Sequence, residues 1–315
     1  MASTVLPPSA AAGVTRIRRR PRRLLRESLT AYGLIAPAAF FYAAFQLLPI
    51  AGAFALSLFR WNGITLSEAQ WVGLQNYDRL IHDPLFWRSL EHNVLVAVAV
   101  LVIQCGGSFV VAAIIHAGIR CHSFLRVLFF APVVVSSVAV GMLAIFFFSP
   151  SIGLLNQTLG AIGMDSLQQP WLGSSRWALP SVAVTYMLQN FGLSMLLFLS
   201  ALKQVDPHLL EAAEIDGASQ GAILWRIVFP IIRPVASVVF LLGMISAFRL
   251  FETVYVMTSG GPFHASDTLV TYLYSVSFGG TDIGYGNAIG VALFLIIFTL
   301  AVIHLRVTRA GEANE

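Results

Sequence analysis

Six long apolar runs constrain this chain more than anything else in it. They cover residues 30–58, 93–117, 127–148, 178–201, 234–257 and 288–305. A helix of about 20 apolar residues crosses the hydrocarbon core of a bilayer, and each run is near or beyond that length. Backbone in hydrocarbon must satisfy its own hydrogen bonds, which leaves only helices and closed barrels. Barrel strands would read as segments of about ten residues with alternating polarity, whereas these runs are continuous. The expected fold is an all-α polytopic membrane protein with six transmembrane helices. The charge content agrees: 11% of the 315 residues are charged, against about 25% in ordinary soluble domains.

An even number of spans puts both termini on one side, and the arginines say which. Arg16, Arg18, Arg19, Arg20, Arg22, Arg23 and Arg26 stand just before the first apolar run. In that position a basic run is a cytoplasmic membrane-surface anchor rather than a nucleic-acid site. With this end inside, fourteen of the 19 basic residues fall inside. Four, Arg60, Arg79, Arg88 and Arg176, fall outside, and Arg249 lies within the fifth run. Trp61, Trp71, Trp87, Trp171 and Trp177 lie in or beside the outside loops, as an interfacial belt does. The chain is thus expected to be a multi-pass protein of the cytoplasmic (inner) membrane with both termini cytoplasmic. The first run is about twice the length of a signal-peptide core and reads as a retained helix. The division is a basic tail at 1–28, with disorder expected over 1–14, a transmembrane domain at 29–308 and a short cytoplasmic tail at 309–315. Cys105 and Cys121 form neither a metal spacing nor a disulfide framework.

The longest inside loop, 203–233, has its own architecture. Asp206 followed by Pro207 is an N-cap and a first helical position. A helical stretch over 208–215 ends at Asp216-Gly217, where glycine can take the left-handed conformation that closes a helix. Ser219 can cap a second short helix, which is expected to run to Phe229 and stop at Pro230. Leu209, Leu210, Ala213, Ile223, Leu224 and Ile227 are available to bury. Such a hairpin suits docking against another protein, and equally a surface helix packed under its own bundle.

The spacing of that loop carries a resemblance. Glu211-Ala212-Ala213, three residues, Gly217, nine residues, Ile227, one residue and Phe229-Pro230 resemble the EAA loop of type I ABC importer permeases. Phe229 stands where the usual pattern has leucine. Thr258-Ser259-Gly260-Gly261-Pro262, preceded by Phe248, Phe251 and the stretch 252–256, resembles the carbohydrate and glycerol-phosphate branch, with its maltose-type sugar permease subunits. Val72-Gly73-Leu74-Gln75-Asn76-Tyr77 is similar to the same branch. The resemblance covers about residues 31–306. It implies a permease subunit of an ATP-driven importer that moves a sugar, sugar derivative or glycerol phosphodiester inward. It also implies a second permease subunit, an extracytoplasmic solute-binding protein and two ATPase subunits that dock on the EAA loops. The coupling residues would then be Glu211, Ala212, Ala213, Gly217, Ile227 and Pro230. Rigid-body motion would switch the solute site between two openings.

The chain lacks the parts of an enzyme. There is no G-x-x-x-x-G-K-[ST] phosphate loop around its one lysine, Lys203, no H-E-x-x-H pair and no G-x-S-x-G elbow. No catalytic residue, metal ligand or bound cofactor is expected, and ATP-Mg belongs to the partner subunits. The other partners expected are a small-molecule solute and membrane lipid, with no nucleic acid.

Polar groups inside spans are costly and usually face the bundle interior or a cavity. Gln189 and Asn190 lie in the fourth run; Ser246, Arg249 and Glu252 lie in the fifth. By the resemblance, Gln189, Asn190 and Leu193 stand where solute contacts of the fourth helix fall, and Gly243, Ser246 and Ala247 where those of the fifth do. Arg249 and Glu252, three apart, would share a helix face. They suit either a structural ion pair or a polar lining that touches solute. Gln189 and Asn190 suit hydrogen bonds between helices equally well. Gly286 and Gly290 form a G-x-x-x-G that favours close helix packing. Alternative readings are a permease of the same superfamily for another solute class, such as amino acids, and an ion-coupled secondary transporter. The latter would have Glu252 as its only intramembrane acid and no use for an EAA loop.

Overall fold

The computed structural model describes residues 21–312. The disorder expected for 1–14, and Arg16 to Arg20 of the basic run, lie outside the described residues. Helix α1 comprises Pro21–Tyr42, a π turn over Ala43–Leu47 and Leu48–Leu56. It therefore begins within the segment expected as a tail. The chain divides into two units between Gly52 and Ala53. Most of α1 belongs to the first, and its portion Tyr32–Leu56 is long and apolar enough to cross a membrane.

The second unit holds the remaining elements. A two-residue antiparallel ladder pairs β1 (Phe59–Arg60) with β2 (Gln70–Trp71). The helices that follow are α2 (Gln75–Ile81), α3 (Pro84–His116), α4 (His122–Val134), α5 (Ser137–Phe147), α6 (Leu154–Ala161), α7 (Ala178–Leu202) and α8 (Pro207–Ile215). After them come α9 (Gln220–Phe248), α10 (Glu252–Met257), α11 (Leu269–Gly279) and α12 (Ile283–Glu312). Helices α3, α7, α9 and α12 are long and apolar enough to span. Counting α4 and α5 as one bent span gives six among the described residues.

Three sequence expectations are corrected. The run 127–148 is not one straight helix: α4 and α5 meet at 105°. Pro132 removes a backbone donor near the end of α4, and Val135 and Ser136 take extended backbone. The run 234–257 is also broken. Helix α9 ends at Phe248, and α10 starts at Glu252, so Arg249 and Glu252 stand on either side of a break. The expected stop at Pro230 does not occur, because α9 runs through Pro230 and Pro234 as one helix. A π turn over Leu224–Val228 lies just before Pro230, and such a widened turn accommodates the missing donor.

The break after α9 is held from outside that helix. The last carbonyls of a helix have no partner within it. Here Asn93 of α3 donates from Nδ2 to the Ala247 and Phe248 carbonyls at 3.0 and 3.4 Å. Its Oδ1 accepts from the Leu269 N–H at the start of α11, at 2.8 Å. Thr268 Oγ1 donates to the Leu250 carbonyl at 2.7 Å. Asn93 is fully buried, so Asn93→Ala strands buried groups on two elements. An unsatisfied buried group costs about 1–3 kcal/mol. The expected outcome is a clear fall in melting temperature of the purified membrane protein, followed by tryptophan fluorescence. An unchanged melting temperature would show that this clamp does not hold the break.

Close approaches fix the rest. A Cβ on Gly192 of α7 would lie 2.2 Å from the Phe129 carbonyl oxygen of α4, so the two backbones touch there. The expected close packing at Gly286 and Gly290 is against α11, where added Cβ atoms would meet Ser277 and Leu273. At the end of the bundle away from the 203–233 loop, Asp83 caps α3 by accepting from the Leu85 N–H at 2.9 Å. It also accepts from the hydroxyls of Tyr272 and Tyr285. Burial opposes its charge, but these hydrogen bonds outweigh burial and hold the carboxyl below its usual pKa. Arg79 pairs with Asp282 at 2.6 Å and lies over the Tyr285 ring at 3.9 Å. Helices α2, α3, α11 and α12 are tied together there.

Candidate functional site

Two places carry the residues singled out by sequence. The first is the hairpin of α8 and the start of α9. Asp206 accepts from the His208 N–H at 3.0 Å and caps α8. Gly217 has φ +81°. Around it the Gly217 N–H donates to Glu214 O and the Ala218 N–H to Ala213 O, both at 3.0 Å. These two bonds make a Schellman closure, which requires a left-handed residue at this position. Ser219 then accepts from the Ala222 N–H at 3.3 Å, and Gln220 Nε2 donates to Glu214 at 2.6 Å. Helix, left-handed turn and recapped helix thus follow from four residues.

Of the apolar residues available to bury, Ala213 and Ile223 are buried, while Leu210, Leu224 and Ile227 are half-buried. Leu209 is exposed, as are Glu211, Ala212, Gly217 and Pro230. Ile215 is 86% exposed on the same hairpin. The coupling residues expected from the motif therefore divide into an inward pair, Ala213 and Ile227, and an outward set.

The second place is a cavity of about 250 Å³ beside the break between α9 and α10. Asn190, Ser246, Arg249 and Glu252 line it. So do Ser137 at the start of α5 and Tyr186 of α7. The two helix breaks are thus brought to one cavity. Gly141 of α5 permits this, since a Cβ there would sit 3.0 Å from Val256 of α10. Arg249 caps the carbonyl end of α9, where the helix dipole favours a cation. Among the described residues no ion pair joins Arg249 to Glu252. Both are exposed to the cavity space.

The other sequence candidates take different places. Gln189 is buried and does not line this cavity. Its Nε2 donates to the Val135 carbonyl at 2.9 Å and to Ser137 Oγ at 3.3 Å, tying α7 to the break after α4. Asn190 donates to the Tyr186 carbonyl of its own helix at 2.9 Å. Leu193 and Gly243 line a smaller recess of about 40 Å³ next to the cavity. Ala247 is fully buried and lines neither, its carbonyl being used by Asn93. Ser137, Tyr186 and Asn93 were missed by the sequence reading. A polar residue within an apolar run was the available signal for Asn93 and Ser137. No group of His, Cys, Asp and Glu fit to hold a metal occurs among the described residues.

Comparison with known proteins places these features in a family. Residues 107–310 match the family described as binding-protein-dependent transport system inner membrane component. The chain is 34% identical to a probable ABC transporter permease, YurN of Bacillus subtilis, over 89% of this chain and 96% of that one. It is 29% identical to the multiple sugar-binding transport system permease MsmF of Streptococcus mutans, over 87% and 91%. Its fold matches a chain of the bacterial alginate ABC transporter solved in complex with an alginate pentasaccharide-bound periplasmic protein. That match has a TM-score of 0.82 at 20% identity and covers 93% of this chain and 98% of the other. With the hairpin, the broken spans and more than half of its residues matched, the chain belongs to the family of binding-protein-dependent transport system inner membrane components, the permease subunits of ABC importers.

Proposed function

We propose that this permease carries a sugar, sugar derivative or glycerol phosphodiester inward through the cavity at the paired helix breaks. The observation that carries the reading is the lining itself: Ser137, Asn190 and Ser246 offer hydrogen bonds, and Arg249 and Glu252 offer one charge of each sign. Such a lining suits a hydroxylated solute, and the arginine suits a phosphate or carboxylate on it. The relatives' sugar transport supports the same class. In the complete importer a second permease subunit completes the pathway. Two ATPase subunits bind ATP-Mg and dock on the 203–233 hairpin through Glu211, Ala212, Ala213, Gly217, Ile227 and Pro230. An external binding protein delivers the solute. Both termini and the hairpin lie on the cytoplasmic side of the inner membrane, with 29–308 as the permease domain between short tails.

Uptake by sealed cells lacking and carrying the chain tests this. Labelled lactose, raffinose, glycerophosphocholine and glutamine serve as probes. Loss of uptake of a sugar or of glycerophosphocholine on deletion is expected. Arg249 and Glu252 together would also suit a zwitterion, so loss of glutamine uptake alone would move the solute to the amino-acid class. For orientation, cysteines at Gln75 and at Phe263, which is 87% exposed, should react with an impermeant maleimide from outside. One at the exposed Gln220 should not. Reaction at Gln220 in sealed cells would overturn the topology.

A further inference from the structure

The polar cavity does not end at Arg249. Tyr186, Asn190 and Ser246 are shared with the recess of about 40 Å³, which continues along α7 and α9 past Leu193, Leu197 and Gly243. In both helices this direction leads toward the coupling hairpin. The recess also has a lining residue from α3, Gln104. That helix contributes nothing to the main cavity.

Gln104 is 4% exposed. Its Nε2 donates to Ser194 Oγ at 3.2 Å, and its Oε1 has no hydrogen-bond partner. An unpaired buried acceptor is destabilising, and an apolar side chain of similar volume would avoid that cost. The recess has room for one group the size of a water or a hydroxyl. We infer that Gln104 is a second solute contact, a station on the hairpin side of the main cavity at which its free amide oxygen accepts a hydrogen bond from a solute hydroxyl. A hydroxyl is donor and acceptor at once, so it satisfies the carboxamide whichever way its oxygen and nitrogen are turned. The station favours solutes with a hydroxyl free to enter the recess over those with an ether or methyl group there. A site built to hydrogen-bond a hydroxyl discriminates strongly against analogues that lack it.

This inference rests on the cavity being the solute path, and the test separates the two ideas. The complete importer is prepared with Cys105→Ser and Cys121→Ser, then given Gln104→Cys or Ser246→Cys, and treated with the small cationic thiol reagent methanethiosulfonate ethylammonium. Labelling at both positions is expected, because water that reaches Ser246 should extend to residue 104. Labelling at Ser246 without Gln104 overturns the second station and leaves the cavity standing. Labelling at neither overturns both. The second readout is Gln104→Leu, assayed for uptake of the labelled probe that the wild-type importer accepts. The variant gives up the 3.2 Å bond to Ser194 Oγ but also removes the unpaired oxygen, so the two effects offset and it should reach near wild-type abundance. Its apparent KM should rise about tenfold, the loss expected for one unpaired hydrogen bond. An unchanged KM, or a fall in abundance with KM unchanged, would show that Gln104 does not contact solute.

Discussion

Replacing Gly217 by valine is expected to separate the transport machinery from its motor while leaving the membrane helices intact. A Cβ at this position meets nothing within 4 Å, so crowding is not the cause. The cause is backbone: φ is +81°, and a left-handed conformation costs a residue with a Cβ about 1–2 kcal/mol, more when it is β-branched. That cost falls on the two bonds of the Schellman closure, from Gly217 to Glu214 and from Ala218 to Ala213. A penalty of this size shifts the population of the formed turn by a factor of roughly 5–30. The variant should reach the membrane at normal abundance, because no span is touched. Solute-stimulated ATP hydrolysis by the assembled importer should fall about tenfold or more, in line with that shift. Gly217→Asn provides the control, since asparagine tolerates the left-handed region, and it should retain most of the activity. If valine and asparagine behave alike, the turn is not what couples this chain to its ATPases.

The features legible in the sequence were those that rest on local chemistry. Asp206-Pro207, Gly217 and Ser219 specify caps and a turn through their own backbone, and the structure forms all of them. The spans were legible because their signal is length and apolar content. The helix breaks were not. Pro132, Ser136 and Ser137 at one and Arg249 and Glu252 at the other interrupt runs that otherwise stay apolar on both sides, and such residues also occur within unbroken spans. The break after α9 depends on Asn93 and Thr268, far away in sequence, to satisfy its carbonyls. For the same reason Arg249 and Glu252 read as helical neighbours when they flank a gap. Gln189 and Asn190, adjacent in sequence, also diverge. One reaches the broken backbone after α4, and the other lines the cavity. A helical position next to another points about 100° away, so adjacency said little about a shared role. Ala247, one residue on from Ser246, is fully buried outside both linings, with its carbonyl taken by Asn93 of α3.

The break between α9 and α10 changes what neutralising Arg249 and Glu252 should do. Had they been a buried pair, removing one would leave the other uncompensated, at a cost of about 3–5 kcal/mol, and the subunit would fall in abundance. No ion pair joins them, and both are exposed in the cavity. Neither charge therefore depends on the other for folding. Arg249→Met and Glu252→Gln should each reach the membrane at near wild-type abundance, with melting temperatures close to that of the parent. Uptake of the accepted probe should nevertheless fall. Arg249→Met should show the larger effect for an anionic solute, since a charge-assisted hydrogen bond is worth about 1.5–3 kcal/mol, roughly a 10- to 150-fold change in affinity. For a neutral sugar the two effects should be similar and smaller. The ratio between them thus reports the charge of the solute. The double variant makes the distinction sharp. Restored abundance and transport relative to either single change would mean that the two charges are a structural pair in the assembled importer. Losses that add, at constant abundance, are the expected result, because two groups that touch the solute independently contribute independent free energies.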